Sequence, residues 1–327
     1  MLETLSDPLR QQLVTWSLFG GIVALLLCLE QIIMRRGRQN PQRSPLRNTV
    51  LIPALCMASA AMFAGALVWL GGPEGMAHAT AFGTVYVVEF ALSVDNLFVF
   101  LLIFNSFAVS TQEAFRVLTW GIIGAVVLRG LFILLGASLF AHFDWLFYGV
   151  GLFLMITGVR LLWHKDQADQ DAQNNWAIKF GSRLLPMARP ETLQDSPKGA
   201  FWVREAHRLK ATPLLLVLIA VEASDVVFAL DSVPASFAIT QETELIFFAN
   251  MFAVLGLRSL YALLAHAAEA LRYLSVALAL ILMLIGLKML TRHYVEVPDG
   301  YFLLTVLGIL AVSTAASLWT REAKTSV

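Results

Sequence analysis

The sequence predicts an all-α polytopic membrane protein with about nine transmembrane helices, six of which form two inverted three-helix repeats. Of its 327 residues, 58% are hydrophobic and only 14% are charged, whereas soluble domains carry about 25% charged residues. The mean hydropathy is +0.72. Apolar runs of about 20 residues, the length that crosses a bilayer, recur along the whole chain. These three observations exclude a water-soluble fold.

Nine apolar runs are long enough to span the membrane. They lie at 13–34, 50–70, 81–104, 117–140, 143–163, 213–237, 245–265, 273–290 and 301–319. The first run is too long for a cleavable signal peptide, and Arg35, Arg36 and Arg38 follow it instead of preceding it. We therefore expect the first span to remain in the protein.

Basic residues are concentrated in alternate loops. The loop after the first span holds five arginines and the stretch after the fifth holds eight Lys or Arg residues, whereas 71–80, 141–144 and 238–244 hold none. Because Lys and Arg accumulate in cytoplasmic loops, this asymmetry predicts an N-terminus outside the cell and a C-terminus in the cytoplasm. The polar stretch 164–210 is predicted to be a cytoplasmic linker with one short helix near 175–183, and a regulatory or partner-binding role for it stays open.

An internal repeat relates the middle spans. Segment 128–135 resembles 257–264, with Arg129 and Arg258 at matched places, 154–162 resembles 282–290, and 94–98 can be aligned with 224–228. Spans three to five therefore look like a copy of spans six to eight, and an odd number of spans per copy inverts the second copy. Transporters with such repeats bind their substrate near the midplane, where the copies meet.

The repeat divides the chain into five predicted parts. These are two peripheral transmembrane helices (1–80), the first repeat (81–163), the linker (164–210), the second repeat (211–291), and the last transmembrane helix with a cytoplasmic tail (292–327).

Five carboxylates lie at membrane depth in the first helix of each repeat: Glu89, Asp95, Glu222, Asp225 and Asp231. Each costs about 2.5–3.5 kcal/mol at a helix centre, so five indicate a polar cavity, countercharges or a bound cation.

Helical spacing divides these polar residues between faces. Glu222 shares a face with Asp225, and Glu89 shares one with Asn96, whereas Asp95 and Asp231 point elsewhere in an intact helix. We therefore expect both helices to unwind, at Ser93 and Asn96 in one copy and at Ser232 and Pro234 in the other.

Arg129 and Arg258 are the predicted countercharges, but two cations cannot neutralise five anions. Three interpretations remain open: structural pairing with these arginines, a proton relay without metal, and a cation site. For a cation site, the oxygen donors of Asp, Glu, Asn and Ser suit Mg, Ca or Mn. The six histidines lie at span ends or in loops and are expected to be surface residues.

These acidic segments, with the arginine-bearing fourth and seventh spans, resemble the tellurium-resistance TerC family over about residues 80–320. The resemblance implies a manganese exporter of the bacterial inner membrane, within the wider LysE-like transporter group. It also implies that the five carboxylates handle the metal. A membrane scaffold that assists insertion or metal loading of other proteins is the alternative function.

The sequence and the family resemblance together indicate the partners and the energy source. It contains no nucleophile–base set, phosphate loop or metal-binding His pair, so we expect no enzyme activity and no prosthetic group. With 23 basic and 23 acidic residues, no net charge indicates nucleic acid. The expected partners are Mn²⁺, protons and the lipid bilayer, and either a homo-oligomer or a membrane-protein partner stays open. Because the cell interior is negative and no ATP-binding motif is present, we expect export to be driven by proton antiport.

Overall fold

Nine α-helices dominate the residues that the computed structural model describes, which are 7–39, 45–143, 145–163, 186–188, 199–205, 208–267, 273–291, 293–294 and 297–325. The helices are α1 (Asp7–Gln39), α2 (Pro45–Leu70), α3 (Gly75–Ser106), α4 (Thr111–His142), α5 (Trp145–Trp163), α6 (Pro213–Ile239), α7 (Thr243–Ala267), α8 (Leu274–Thr291) and α9 (Asp299–Thr325). A 3₁₀ turn at Gly72–Glu74 joins α2 to α3.

The predicted fold class is confirmed. By length and composition, eight of these helices can cross a membrane, and α7 adds a shorter apolar stretch at Thr243–Leu257, within the part of the chain that the structure describes. Each predicted span lies almost entirely within one helix, because burying twenty apolar residues in lipid fixes a helix with little help from its neighbours. The protein is therefore an all-α, multi-pass membrane protein.

The packing of α3 to α8 follows a pseudo-two-fold pattern. Helix α3 packs on α7 and α4 packs on α6, while α5 packs on α8 and α3 meets α6. Let α3, α4 and α5 correspond to α6, α7 and α8. A two-fold rotation then exchanges the α3–α7 contact with the α4–α6 contact and leaves the α5–α8 and α3–α6 contacts unchanged. Helices α1, α2 and α9 pack around this unit, mainly against α3, α7 and α8.

Phenylalanine rings fill the core at one end of the bundle. Phe63, Phe82 and Phe252 are almost fully buried, and their ring centroids lie 5.2–5.9 Å apart. Such edge-on and tilted aromatic pairs contribute beyond the area that they bury. This core joins α2, α3 and α7 on one side of the polar residues described below.

The linker departs from the sequence prediction at its C-terminal end. Two antiparallel strands, β1 (Trp202–Glu205) and β2 (Arg208–Ala211), form immediately before α6, and Met187 makes a parallel bridge to Ala211. These strands were not predicted from the sequence. The short helix expected at 175–183 lies outside the described residues.

Small residues let α5 and α8 approach each other closely. A Cβ atom on Gly286 would lie 2.6 Å from the carbonyl oxygen of Gly151, and one on Gly158 would lie 2.7 Å from that of Ala279. Backbone cannot move away as a flexible side chain does, so these two positions require glycine. Close backbone approach through small residues is a common way for membrane helices to associate.

We predict that Gly286→Ala destabilises the protein, because the added methyl group forces α8 away from α5. The expected loss is about 1–3 kcal/mol, the usual cost of overpacking. Thermal unfolding in detergent, followed by tryptophan fluorescence, measures it. Gly149→Ala on α5 is the matched control, since its Cβ would meet only the Trp145 ring at 3.7 Å. Equal unfolding temperatures for the two variants would contradict the proposed close contact.

Candidate functional site

A fully buried arginine lies at the centre of the helix bundle. The side chain of Arg129 on α4 has 0% exposure. Its Nη1 donates to Glu89 Oε2 on α3 at 2.7 Å and to Asn250 Oδ1 on α7 at 2.9 Å, and its Nη2 donates to Asp225 Oδ1 on α6 at 3.2 Å. One guanidinium thus connects four helices and pairs with one carboxylate from the first helix of each repeat.

Two polar residues that the sequence analysis did not select hold this centre in place. Ser236 Oγ donates to Glu89 Oε1 at 2.7 Å, so both carboxylate oxygens of Glu89 are bonded. The Asn250 amide nitrogen donates to the Ile246 carbonyl at 3.1 Å, which leaves its oxygen for Arg129. Asn250 is a polar residue within an apolar run, so its isolation in the sequence is a usable signal.

A third carboxylate reaches α4 at a glycine. A Cβ atom on Gly124 would lie 2.3 Å from both carboxylate oxygens of Glu222, and one on Gly121 would lie 3.6 Å from Glu222 Oε1. The Glu222 carboxylate therefore rests against the bare backbone of α4, between the arginine and the N-terminal end of that helix. No spacing rule points to Gly124, because its importance comes from a contact with another helix.

The polar centre separates two apolar layers. Helices α3, α4 and α6 each contribute one residue on either side of it. The first buried cluster contains Val88 of α3, Ile133 of α4 and Ala229 of α6. The second contains Ala91 of α3, Ala125 of α4 and Val221 of α6. The order along the chain is reversed between α3 and α6, so the first helices of the two repeats are antiparallel. The carboxylates lie at the middle of the bundle, as inverted repeats predict.

Several buried polar atoms in this layer have no hydrogen-bond partner among the described protein atoms. They are Ser93 Oγ, Asn96 Nδ2, Arg129 Nε, Glu222 Oε2, Asp225 Oδ2 and Ser232 Oγ. An unbonded polar atom is costly in an apolar interior and calls for an explanation. Both α3 and α6 carry such atoms.

The predicted site residues are only partly brought together. Glu89, Asn96 and Asp225 are buried, Glu222 is close by, and Asp231 is partly exposed on α6. Asp95 lies on α3 and Arg258 on α7, but their side chains are outside the described part. Among the described side chains, no three His, Cys, Asp or Glu residues are close enough to hold a metal ion together. Metal binding by these residues stays a prediction.

The prediction that α3 and α6 unwind is wrong. Helix α3 is continuous through Ser93 and Asn96, and α6 is continuous through Ser232 and Pro234. Pro234 removes one backbone donor near the C-terminal end of α6, and the helix tolerates this loss because its other hydrogen bonds remain. Ser224 on α6 shows how a serine is satisfied within an intact helix, since its Oγ donates to the Ala220 carbonyl at 2.8 Å.

A second alignment of the two repeats accounts for the contacts of Arg129. The sequence comparison paired Asp95 with Asp225, yet Arg129 contacts Glu89 and Asp225 together. Pairing Glu89 with Asp225 places Asp95 opposite Asp231, since each pair is separated by six residues. The acidic pattern is therefore repeated in the two first helices, with Glu222 as an addition in the second.

Acidic residues also line a cavity of about 670 Å³ at one end of the bundle. Glu74 and His78 at the start of α3 face Glu242, which precedes α7, and His78 Nε2 lies 3.3 Å from Glu242 Oε1. The Val88 side of the polar centre faces this end. The cavity belongs to the ends of α1, α2 and α3, together with the connection between α6 and α7.

A family profile and full-length relatives both match this chain. A profile described as "Integral membrane protein TerC family" matches residues 74–325. The chain is 36% identical over 315 residues to "Putative membrane-bound redox modulator Alx" of Photorhabdus laumondii subsp. laumondii, covering 94% of this chain and 96% of the relative. It is also 36% identical over 324 residues to the protein of that name in Escherichia coli (strain K12), covering 97% of each. No solved structure matches.

We predict that Arg129→Met strongly destabilises the protein, because it leaves Glu89 and Asp225 buried without a countercharge. Breaking a buried ion pair in this way costs about 3–5 kcal/mol. The measurement is the thermal unfolding temperature and the yield of monodisperse protein in detergent. Arg160→Met, at an exposed position on α5, is the control. Adding Glu89→Gln and Asp225→Asn to Arg129→Met should restore much of the stability, and a lack of rescue would contradict the ion-pair explanation.

Proposed function

The chain belongs to the TerC family of integral membrane proteins, and from this premise we propose that it exports divalent manganese across the bacterial inner membrane in exchange for protons. The observation that carries the proposal is the polar layer between the two apolar clusters, where α3 and α6 meet with three carboxylates and one arginine. A charged layer at this depth is costly to build and is a feature of substrate and ion pathways.

The chemistry of the layer favours a hard divalent cation. Glu89, Glu222 and Asp225 offer carboxylate oxygens, and Ser93 and Ser232 offer hydroxyl oxygens that have no hydrogen-bond partner among the described protein atoms. Oxygen donors of this kind suit Mn²⁺, Mg²⁺ and Ca²⁺ better than Zn²⁺ or Cu²⁺. Manganese is the proposed cargo because the resemblance to the family implies it.

Arg129 has a role in the proposed transport cycle. In this structure its guanidinium lies between Glu89 and Asp225, where it neutralises charge that a divalent cation would otherwise neutralise. In the proposed cycle, the arginine holds the two repeats together through these ion pairs before the metal enters. Metal entry would weaken these two ion pairs and so release α3 from α6, which couples binding to a change of conformation.

The proposed direction of transport is from the cytoplasm outwards. We place the N-terminus outside the cell, as the distribution of Lys and Arg indicates, and the acidic cavity near His78 then opens to the exterior. Its carboxylates give a released cation a favourable path away from the centre. The proposed cycle includes no covalent chemistry and no prosthetic group. Redox modulation is the role named for the relatives and is not part of this proposal.

We predict that Glu222→Gln abolishes manganese transport while the protein still inserts and folds. This variant removes one carboxylate but keeps the partners of Arg129, so it separates transport from stability more cleanly than Asp225→Asn, which should also abolish transport. The test is Mn²⁺ uptake by proteoliposomes that contain the purified protein. Asp166→Asn, in the polar linker, is the control and should keep the parent rate. If the parent protein moves no Mn²⁺, transport is wrong and the scaffold alternative gains support.

Gly124→Ala should impair transport without changing any charge. The added methyl group would overlap the Glu222 carboxylate and displace it from the polar centre. Gly130→Ala, on the same helix, is the matched control, because its Cβ would meet only Phe247 at 3.5 Å. Uptake rates of both variants in proteoliposomes provide the comparison, and equal rates would show that the position of Glu222 does not matter for transport.

Proton exchange predicts a pH signal that depends on manganese. When Mn²⁺ enters the lumen of a proteoliposome, protons should leave, and the lumenal pH should rise only after the metal is added. A trapped pH-sensitive dye records the change, and Glu222→Gln should show none. Manganese flux that does not respond to an imposed pH gradient would exclude proton antiport and leave a uniporter or a differently coupled carrier.

A further inference from the structure

The two strands before α6 expose one face that combines an aromatic, an aliphatic and a basic side chain. The register pairs Trp202 with Ala211 and Arg204 with Leu209, so Trp202, Arg204 and Leu209 lie on the same side of the strand pair. Trp202 is 46% exposed and Leu209 is 63% exposed. The side chain of Val203, on the opposite side, is buried against the protein. We refer to Trp202, Arg204 and Leu209 as the hairpin face.

Contacts with two membrane-spanning helices fix the height of the hairpin face. The Thr212 backbone N–H, at the start of α6, donates to the Phe201 carbonyl at 3.1 Å, and the Arg116 guanidinium of α4 lies 5.6 Å from the Phe201 ring. The 27 residues of α6 extend over roughly 40 Å, compared with a hydrocarbon core of about 30 Å. The ends of α6 therefore reach the headgroup layer, and β2 ends two residues before α6 begins.

The composition of the hairpin face matches a lipid headgroup layer better than water or a protein. Tryptophan is enriched at membrane interfaces because its ring is apolar and its N–H is polar. Leu209 can enter the upper acyl region, while the Arg204 guanidinium can bind a phosphate through two N–H groups. Arg208 and Lys210 lie on the opposite side of the strand pair, with Val203, and add to the overall positive charge that attracts the strand pair to anionic lipids.

We propose that the hairpin face lies on the membrane and binds the headgroup of an anionic phospholipid, so that this strand pair anchors the linker to the bilayer at the start of α6. Trp202 and Leu209 supply the apolar contact, and Arg204 supplies the phosphate contact. The proposal does not depend on manganese transport, because it concerns residues on another part of the molecule.

Nitroxide accessibility tests this placement. In a background with Cys28→Ala and Cys56→Ala, one variant carries Leu209→Cys and the other carries Arg208→Cys, so that neighbouring residues on opposite faces each take a spin label. The full chain is placed in nanodiscs of phosphatidylethanolamine and phosphatidylglycerol. The label at 209 should collide severalfold more with oxygen, relative to a water-soluble nickel chelate, than the label at 208 does. Nickel access equal at both sites, or a label at 209 that is shielded from both reagents by protein, would overturn the proposal.

The choice of lipid tests the arginine. The label at 209 should be less accessible to nickel when phosphatidylglycerol is present than in phosphatidylcholine alone, and Arg204→Gln should remove that difference. A difference that persists in Arg204→Gln would overturn the phosphate contact.

A second measurement leaves both cysteines in place. Brominated phosphatidylglycerol should quench the part of the tryptophan fluorescence that Trp202→Phe removes. If the fluorescence that Trp202 contributes is not quenched, the hairpin face does not lie on the bilayer.

Discussion

The central interaction of this protein is one guanidinium held between two carboxylates in the middle of a membrane-spanning bundle. An isolated charge at this depth is strongly unfavourable, so Arg129, Glu89 and Asp225 are tolerated only in one another's presence. With Asn250, these residues come from α3, α4, α6 and α7, the four helices that supply the first two spans of both repeats. The requirement for charge compensation therefore fixes how the two repeats meet. Apolar packing alone would define this arrangement less well, because apolar helix surfaces can pack equally well against lipid.

The same interaction explains why the two repeats are alike in their acidic pattern and different in detail. Glu89 accepts from Nη1 of Arg129 and Asp225 accepts from Nη2, and each is followed six residues later by an aspartate. Glu222 has no counterpart in α3, and it is the carboxylate that rests on the glycine backbone of α4. The two repeats thus share an acidic pattern that places charge near the midplane of the bundle. The additional carboxylate of Glu222 makes the polar centre more acidic on the side of the second repeat.

The sequence predicted the helices well and the contacts between them poorly, for a physical reason. A transmembrane helix is determined by local hydropathy, and the repeat was visible because Arg129 and Arg258 stand out among apolar neighbours. Partners across helices depend on distances that spacing does not give, which is why Asn250, Ser236 and Gly124 were missed. The continuity of α6 through Pro234 was missed because one lost hydrogen bond is a smaller cost than exposing several backbone groups. The strands before α6 depend on pairing with Met187 and on anchoring of Phe201, neither of which appears in their own residues.

Charge balance connects the structural role of the polar layer with the proposed transport. When ionised, Glu89, Glu222 and Asp225 carry three negative charges and Arg129 carries one positive charge, so two negative charges remain in this described part of the layer. A purely structural layer would gain stability from fewer carboxylates, because uncompensated buried charge is costly. One divalent cation removes the excess, and so do two protons. The layer is then close to neutral when either the metal ion or two protons are bound. When neither is bound, the layer keeps its excess charge and is least stable at this depth. Alternation between a metal ion and protons needs a site with this property, and among the described side chains Arg129 sets the remaining charge at the value that both can neutralise.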